Sequence, residues 1–163
     1  MSDPSSNPDF IQAASAPARA RIPGETEPFA SQLGERVKRP LGDPFGLKAF
    51  GVNLSTLASG AVSTLHRGHS RRDEFVYVVE GELVLHVGGR TTVLRAGDCV
   101  GFPAGGEPHH LENRSDRPAN YLEVGDRPPG DSTASARDGS GADMGPDGSW
   151  RFAARATRSS EPE

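Results

Sequence analysis

The sequence has little of what builds a large hydrophobic core, and almost no cysteine. Of its 163 residues, 34% are hydrophobic and 6% are aromatic, whereas there are 20 glycines and 14 prolines. The single cysteine, Cys99, excludes an internal disulfide. No apolar run approaches the length needed to cross a bilayer, and the first twenty residues lack the continuous apolar stretch of a signal peptide. These absences predict a protein of the reducing cytoplasm with no membrane segment.

The chain also lacks an excess of positive charge. It has 18 Lys and Arg residues against 22 Asp and Glu residues, a formal net charge of −4, and the two signs are interspersed. Because no basic stripe is present, we do not expect nucleic acid as a partner.

Hydrophobic residues are concentrated in the middle of the chain, which divides it into four predicted parts. Residues 1–27 are rich in Ser, Pro and Ala and are predicted to be a disordered tail. Residues 28–46 are predicted to form a strap or short helix, because apolar residues recur every four positions after Pro28. Residues 47–125 form the predicted domain, and residues 126–163 are predicted to be a flexible tail rich in Gly, Ser, Asp and Pro.

The predicted domain shows the two-residue period of β-strands. Phe50, Val52 and Leu54 share one face of a strand, and the pair Gly88-Gly89 is typical of a two-residue hairpin because both glycines accept positive φ. Short strands between glycine turns predict an all-β antiparallel sandwich or barrel. The further predicted strands are residues 61–66, 75–79, 83–87, 91–94, 99–102, 109–113 and 121–124.

Four of the five histidines fall in two short windows that glycines bound. Histidines together with a carboxylate on short strands are the donor set of a divalent transition metal. The windows are residues 60–81, with His66, His69 and Glu74, and residues 97–113, with His109 and His110.

The spacing in these windows resembles the paired motifs of the cupin superfamily. The resemblance covers about residues 47–124 and is greatest to small bacterial single-domain cupins. It implies an all-β fold, the cupin double-stranded β-helix or jelly-roll barrel, between disordered N- and C-terminal tails. The matching residues are Gly60, His69, Glu74 and Gly81 in the first motif and Gly97, Pro103, Gly105, His109 and Asn113 in the second.

The first motif departs from the family pattern at its first histidine. Where His-x-His is expected, the chain has His66-Arg67-Gly68-His69, which is one residue longer. If Gly68 forms a bulge, His66 turns inward as a ligand. If the strand is regular, Arg67 shares the face of His69, replaces the first histidine and contacts an anionic group of the substrate. The spacing from Gly60 favours the bulge, and the pattern of similar cupins favours Arg67.

The resemblance implies that His66, His69, Glu74 and His109 bind a divalent transition metal, namely Fe(II), Mn, Ni or Zn. We therefore expect a small metal-dependent enzyme that acts on a small molecule in the barrel. Fe(II) favours a dioxygenase, whereas Mn or Zn favours an isomerase or lyase. Two alternatives stay open: a non-catalytic cupin that binds or senses a small ligand, and a metal-free cupin with a structural role.

The predicted ordered part is small, with roughly 80 to 100 residues, and self-association is a common way to bury more surface. Two-fold dimers are the commonest oligomers. We therefore expect a homodimer, formed through a sheet edge or through the strap before Leu47.

Overall fold

The structure is a computed structural model that describes residues 7–19, 33–136, 139, 141–146 and 149–153. Within these ranges the chain forms two 3-10 turns, Ala13–Ser15 and Asp43–Phe45, and twelve strands. No helix in this part of the chain is long and apolar enough to span a bilayer. The strands are β1 Arg36–Pro40, β2 Phe50–Leu57, β3 Arg67–His69, β4 Glu74–Glu80, β5 Glu82–Val87, β6 Arg90–Arg95, β7 Cys99–Phe102, β8 His109–Glu112, β9 Ala119–Asp126, β10 Ser132–Ser135, β11 Gly141–Met144 and β12 Trp150–Ala153.

The strands form two antiparallel sheets that face each other. The first sheet has the order β1-β2-β9-β4-β7, and the second has the order β12-β11-β10-β3-β8-β5-β6. Alternate residues of each strand point into the space between the sheets, as the two-residue period requires. The predicted all-β jelly-roll fold is confirmed. The core between the sheets includes Leu57, Val76, Val78, Leu83, Leu85, Phe102, Leu111 and Tyr121.

Inside residues 47–125 the local sequence signals predicted the strands except at one segment. The hairpin between β5 and β6 turns at Gly88, which has a φ of 54°, as predicted from the glycine pair. The predicted strand 61–66 does not form. Within it Val62 makes a single bridge to Glu112, and β3 begins at Arg67.

The segment before the domain is partly a strand. Strand β1 pairs along β2, so the end of the strap predicted at residues 28–46 is the edge of the first sheet and not a helix. Part of the predicted tail lies against that edge, since the Arg19 N–H donates to Lys38 O at 2.7 Å. The expectations for residues 1–6 and 20–32 concern residues outside the described part of the chain.

The segment after the domain also adds to the fold. Strands β10, β11 and β12 extend the second sheet within the region predicted to be a flexible tail, residues 126–163. Strand β10 pairs with β3, with Thr133 opposite His69. Strand β10 has the sequence Ser-Thr-Ala-Ser with no hydrophobic period, so its pairing depends on a partner strand that the fold supplies. The expected disorder of residues 154–163 again lies outside the described residues.

Candidate functional site

Three of the predicted ligands meet between the two sheets. His69 ends β3 and His109 begins β8 in the second sheet, whereas Glu74 begins β4 in the first. The distance from His109 Nε2 to Glu74 Oε2 is 3.1 Å, and that from His69 Nε2 to the same oxygen is 3.9 Å. The side chains are 10–13% exposed. The chain crosses from one sheet to the other between His69 and Glu74, so the site lies at that crossing.

The imidazole of His69 is oriented by a buried carboxylate. His69 Nδ1 lies 2.7 Å from Asp131 Oδ2 and donates a hydrogen bond to it. Asp131 is fully buried, and its other oxygen accepts hydrogen bonds from Ser70 Oγ and from the backbone N–H groups of Arg71 and Arg72. With the proton on Nδ1, the lone pair is on Nε2, the atom that faces Glu74.

The imidazole of His109 is held by a carbonyl and an aromatic ring. His109 Nδ1 donates to Glu107 O at 3.2 Å, and the ring stacks on Phe102 with centroids 3.6 Å apart. Its Nε2 therefore also points at Glu74. Nitrogen lone pairs this close to a carboxylate oxygen need a positive charge between them, either a proton or a metal ion.

The protonation states favour a cation other than a proton at His69. Burial lowers the pKa of His69, although Glu74 and Asp131 oppose this shift, so the ring is neutral near pH 7. Burial acts to raise the pKa of Glu74, but the hydrogen bond from His109 and the charge of Arg72 hold the pKa of that carboxyl below its usual value. An ionised carboxylate beside a neutral imidazole is a metal-ligand combination.

The donor set fits a divalent transition metal. Two ligand atoms bonded to such an ion at about 2.1 Å lie about 3 Å apart when adjacent. The pair Glu74–His109 is already at this spacing, and His69 would have to approach Glu74 by about 1 Å. Among the described residues no group of three or more His, Cys, Asp or Glu side chains is already closed around one point as a metal site.

The fourth predicted ligand, His66, lies elsewhere. Strand β3 is regular through Gly68, with Arg67 opposite His109 and next to β10. A bulge is not present within β3, because its pairing with β10 runs through Arg67, Gly68 and His69 without a register shift. Arg67 therefore lines the cavity with His69, as the regular-strand alternative predicted. His66 is corrected to the opposite face of the sheet.

On that outer face His66 joins His86 and His110. His66 Nδ1 lies 2.9 Å from His110 Nδ1, and the ring of His110 stacks on that of His86 at 4.2 Å. His86 Nε2 lies 2.8 Å from Glu112 Oε2, which also accepts a hydrogen bond from Arg114. The imidazoles here contact one another, and the carboxylate is shared with a guanidinium group.

A cavity of about 740 Å³ opens beside His69, Glu74 and His109. Its lining carries seven Arg and Lys side chains but only three Asp and Glu side chains, although the whole chain has a net charge of −4. Positive charge is therefore concentrated in the cavity. A cavity with walls of low dielectric focuses such a field and favours an anionic ligand.

A buried ion pair lies in this cavity. Lys38 Nζ is 2.6 Å from Glu123 Oε1, and Arg72 Nη2 is 3.9 Å from the same oxygen. Burial acts to raise the pKa of Glu123, but the charges of Lys38 and Arg72 dominate and lower it to about 2. Glu123 is therefore ionised, and it holds the two cations in place.

Comparison with known proteins agrees with this architecture. The protein-family model of the cupin domain matches residues 53–125 of the sequence. A sugar phosphate isomerase of the cupin superfamily from Silicibacter pomeroyi is 33% identical, with a TM-score of 0.79, over 94% of this chain and 96% of that one. The chain belongs to the cupin superfamily.

Two further solved cupins are similar to this one. A candidate sugar phosphate isomerase from Acidithiobacillus ferrooxidans is 28% identical, with a TM-score of 0.67, over 76% of this chain and 81% of its own. The polyketide cyclase RemF from Streptomyces resistomycificus is 23% identical, with a TM-score of 0.58, over 72% and 78% of the two chains, and shares the fold. No curated protein sequence matches this cupin.

Sequence reasoning missed several site residues of this cupin. Asp131 and Trp150 lie in the segment interpreted as a flexible tail, yet Asp131 binds His69 and the Trp150 ring lies 5.8 Å from the His69 ring. The apolar Trp150, isolated in a segment rich in Gly, Ser, Asp and Pro, is a signal that could have found this part of the site. Nothing in the sequence around Lys38 indicates a site residue, but its ammonium group donates to buried Glu123.

Proposed function

We propose that this cupin is a metal-dependent isomerase that acts on a small phosphorylated sugar inside the barrel. The observation that carries the proposal is the position of His69, Glu74 and His109 beside a cavity of concentrated positive charge in an acidic protein. The similarity to the Silicibacter pomeroyi sugar phosphate isomerase, over nearly the whole of both chains, supports the same reaction class.

The three ligands supply the metal end of the cavity. A divalent cation bound there would act as a Lewis acid toward a substrate carbonyl or hydroxyl oxygen. His69 and His109 present Nε2, and Glu74 presents Oε2, while Asp131 keeps the His69 ring in the orientation that this requires. Phe102 fixes the plane of the His109 ring by stacking.

The basic residues supply the anion end of the cavity. Arg67 replaces the first histidine of the motif, and its planar group of donors suits a phosphate. Arg72 and Lys38 are held in place by Glu123, so they contribute positive charge with little freedom of movement. Trp150 forms an apolar wall next to His69, where the C–H face of a sugar ring or chain can pack.

The proposal is tested by metal analysis and turnover of the protein purified without a histidine tag. We expect stoichiometric transition metal and the interconversion of an aldose phosphate and a ketose phosphate, followed by NMR. Glu74→Gln keeps the shape of the side chain but loses the negative charge, so metal and turnover are lost together. Glu112→Gln is the matched control on the outer face of β8 and retains both.

Two outcomes would contradict the proposal. Tight binding of phosphorylated sugars to the metal-loaded protein without turnover indicates a ligand-binding cupin. Protein without transition metal, and with a melting temperature that Mn(II), Fe(II), Ni(II) and Zn(II) leave unchanged, indicates the metal-free alternative.

A further inference from the structure

The guanidinium group of Arg72 lies in the cavity without a hydrogen bond to the described part of the chain. Its side chain is only 12% exposed, and its Nε is buried with no acceptor among the described residues. The carboxylate oxygen that it meets, Glu123 Oε1, is 3.9 Å from Nη2, which is beyond hydrogen-bond distance. A guanidinium group carries five N–H donors and a permanent charge. Because burying such donors without an acceptor is costly, an acceptor from a ligand is expected here.

The sequence makes room for this group at Gly125. Gly125 lies on the inner face of β9 and pairs with Gly51 on β2 and with Glu74 on β4. It has no positive φ, so its backbone conformation is open to other residues. A Cβ atom at this position would overlap Nε of Arg72 and would lie 2.5 Å from Nη2. Glycine weakens a strand interior, and here the missing side chain lets the guanidinium group lie against the sheet.

A second arginine, at the neighbouring glycine, is bound differently. A Cβ atom at Gly51 would lie 3.3 Å from Nη2 of Arg127, so this guanidinium group also lies against the sheet. Arg127 donates from Nη1 to Leu47 O at 3.2 Å and from Nη2 to Asp43 Oδ1 at 3.0 Å. The protein itself therefore supplies acceptors for Arg127, whereas the donors of Arg72 are available to a molecule in the cavity.

Arg72 is next to the candidate metal ligands. Glu74 is directly opposite Gly125, one strand spacing of about 4.8 Å away, and both are on the inner face of the first sheet. Arg72 follows His69 by three residues, in the crossing between the two sheets. Its guanidinium group therefore lies beside the carboxylate of Glu74, at the end of the cavity where a bound cation would polarise the substrate.

We propose that Arg72 binds the reacting end of the substrate, where its planar set of donors meets a pair of oxygens that carry negative charge. The proposal rests on the isomerase function proposed above and refines it. Within the basic set of the cavity, it separates Arg72 from the cations that meet the phosphate group. Interconversion of an aldose and a ketose moves a hydrogen between two adjacent carbons with no other reactant, and negative charge develops on their oxygens. A preorganised guanidinium group stabilises such charge as it forms.

The test measures the binding of a probe that represents the reacting end alone. Glycolohydroxamate carries two oxygens on adjacent atoms, one of them ionisable, and has no phosphate group. Trp150 is the single tryptophan of the chain, and its ring lies 5.8 Å from that of His69, so its fluorescence reports binding next to the site. We expect saturable binding of glycolohydroxamate to the wild type loaded with Mn(II), and saturable binding of inorganic phosphate in a separate titration.

Arg72→Lys distinguishes ligand binding from charge neutralisation. Lysine keeps a positive charge beside Glu123 and Glu74 but lacks the planar set of donors. We expect the affinity for glycolohydroxamate to fall about 10–100-fold. The affinity for inorganic phosphate, the Mn(II) content and the urea midpoint should stay close to those of the wild type. A residue that only offsets the two carboxylates can be replaced by lysine without loss, so unchanged affinity for glycolohydroxamate overturns the proposal.

Two glycine variants move the guanidinium group without changing its charge. Gly125→Ala places a methyl group where the group of Arg72 lies, and we expect the same loss of affinity for glycolohydroxamate. Gly51→Ala is the matched control in the same row of the sheet, because its Cβ atom requires only a small movement of Arg127, and its affinity should equal that of the wild type. Wild-type affinity in a folded Gly125→Ala protein overturns the assignment.

The outcomes separate this proposal from the function on which it rests. Binding of glycolohydroxamate that depends on Arg72, in a protein that turns over no sugar phosphate, supports the role of Arg72 and contradicts the isomerase. Turnover by a wild type whose Arg72→Lys variant loses phosphate but retains glycolohydroxamate overturns the role and assigns Arg72 to the phosphate group. A wild type that binds Mn(II) but not glycolohydroxamate also overturns it.

Discussion

Histidines occupy both faces of the second sheet, but they are arranged differently inside and outside the barrel. Inside, His69 and His109 each use Nδ1 to bind a fixed acceptor, and their Nε2 atoms face the carboxylate of Glu74. Outside, His66 and His110 are paired through Nδ1. A set of imidazoles therefore becomes a candidate metal site when acceptors orient the rings and a carboxylate is left for the ion. Imidazoles that are only close to one another do not form such a site.

The same contrast holds for the charged pairs. The pair of Lys38 and Glu123 lies inside the barrel with side chains 21% and 11% exposed. The pair of Arg114 and Glu112 lies on the outer face and is much more exposed. Because water screens charges outside the barrel, the inner pair has the larger influence on stability and on the site.

The largest effect is expected from breaking the inner ion pair. Lys38→Met leaves the buried Glu123 carboxylate without its closest cation, which we expect to lower the free energy of unfolding by about 3–5 kcal/mol. Urea unfolding followed by circular dichroism measures this change. Arg114→Met on the outer face is the control, and its urea midpoint should match that of the wild type. Equal losses in both variants would remove the distinction between the faces.

The acid dependence of stability gives a second measure of the same pair. The pKa of Glu123 is about 2 in the folded chain and 4.5 in the reference state, so the folded state binds fewer protons. Acid therefore favours unfolding, and this part of the stability is lost as pH falls from 4.5 towards 2. In Lys38→Met the pKa of Glu123 is closer to its usual value, so we expect a weaker loss over this range.

An intermediate effect is expected from the carboxylate behind His69. Asp131→Asn replaces an ionised acceptor by an amide, which weakens the hold on the His69 ring. We expect metal affinity to fall by about 10–100-fold, with smaller change in stability. Competition with a chelating dye measures the affinity, and Asp116→Asn on an exposed loop serves as the control. Unchanged affinity would show that His69 does not depend on Asp131 for its orientation.

The smallest effect is expected on the outer face. His66→Ala removes one hydrogen bond to His110 and leaves the inner ligands in place, so metal content should not change. The free energy of unfolding should fall by at most about 1 kcal/mol. Metal analysis of the purified variant decides the point. Loss of metal would return His66 to the inner site and restore the bulged arrangement.

Spacing in the sequence predicted the part of the site that depends on local strand period. His69, Glu74 and His109 come together because β3, β4 and β8 are short strands between glycine turns, and each has a clear phase. His66 was assigned to the wrong face because a shift of one residue along a strand moves a side chain from the inner face to the outer face. The sequence left both possibilities open. The register decides between them, because Arg67 lies opposite His109 and β3 pairs with β10 without a shift.

The rest of the site could not be predicted because tertiary contacts determine it. Strand β10 has no hydrophobic alternation, and it is a strand because β3 offers it an edge. Asp131 follows two prolines and a glycine, a composition typical of a loop, and becomes a fixed acceptor because the N–H groups of Arg71 and Arg72 meet it. Lys38 looks like a surface cation until the position of Glu123 on β9 is known.

Strand β4 has one face inside the barrel and one face outside it. Glu74 and Val76 point into the barrel, while Phe75 and Tyr77 point out of it, so adjacent residues of one strand alternate between the candidate ligand set and the outer surface. Both imidazoles belong to the other sheet. A shift of β4 by about one ångström relative to the second sheet therefore alters the separation between Glu74 and the two rings by a similar amount. The spacing between the carboxylate and the two imidazoles is thus set by how the two sheets pack on each other.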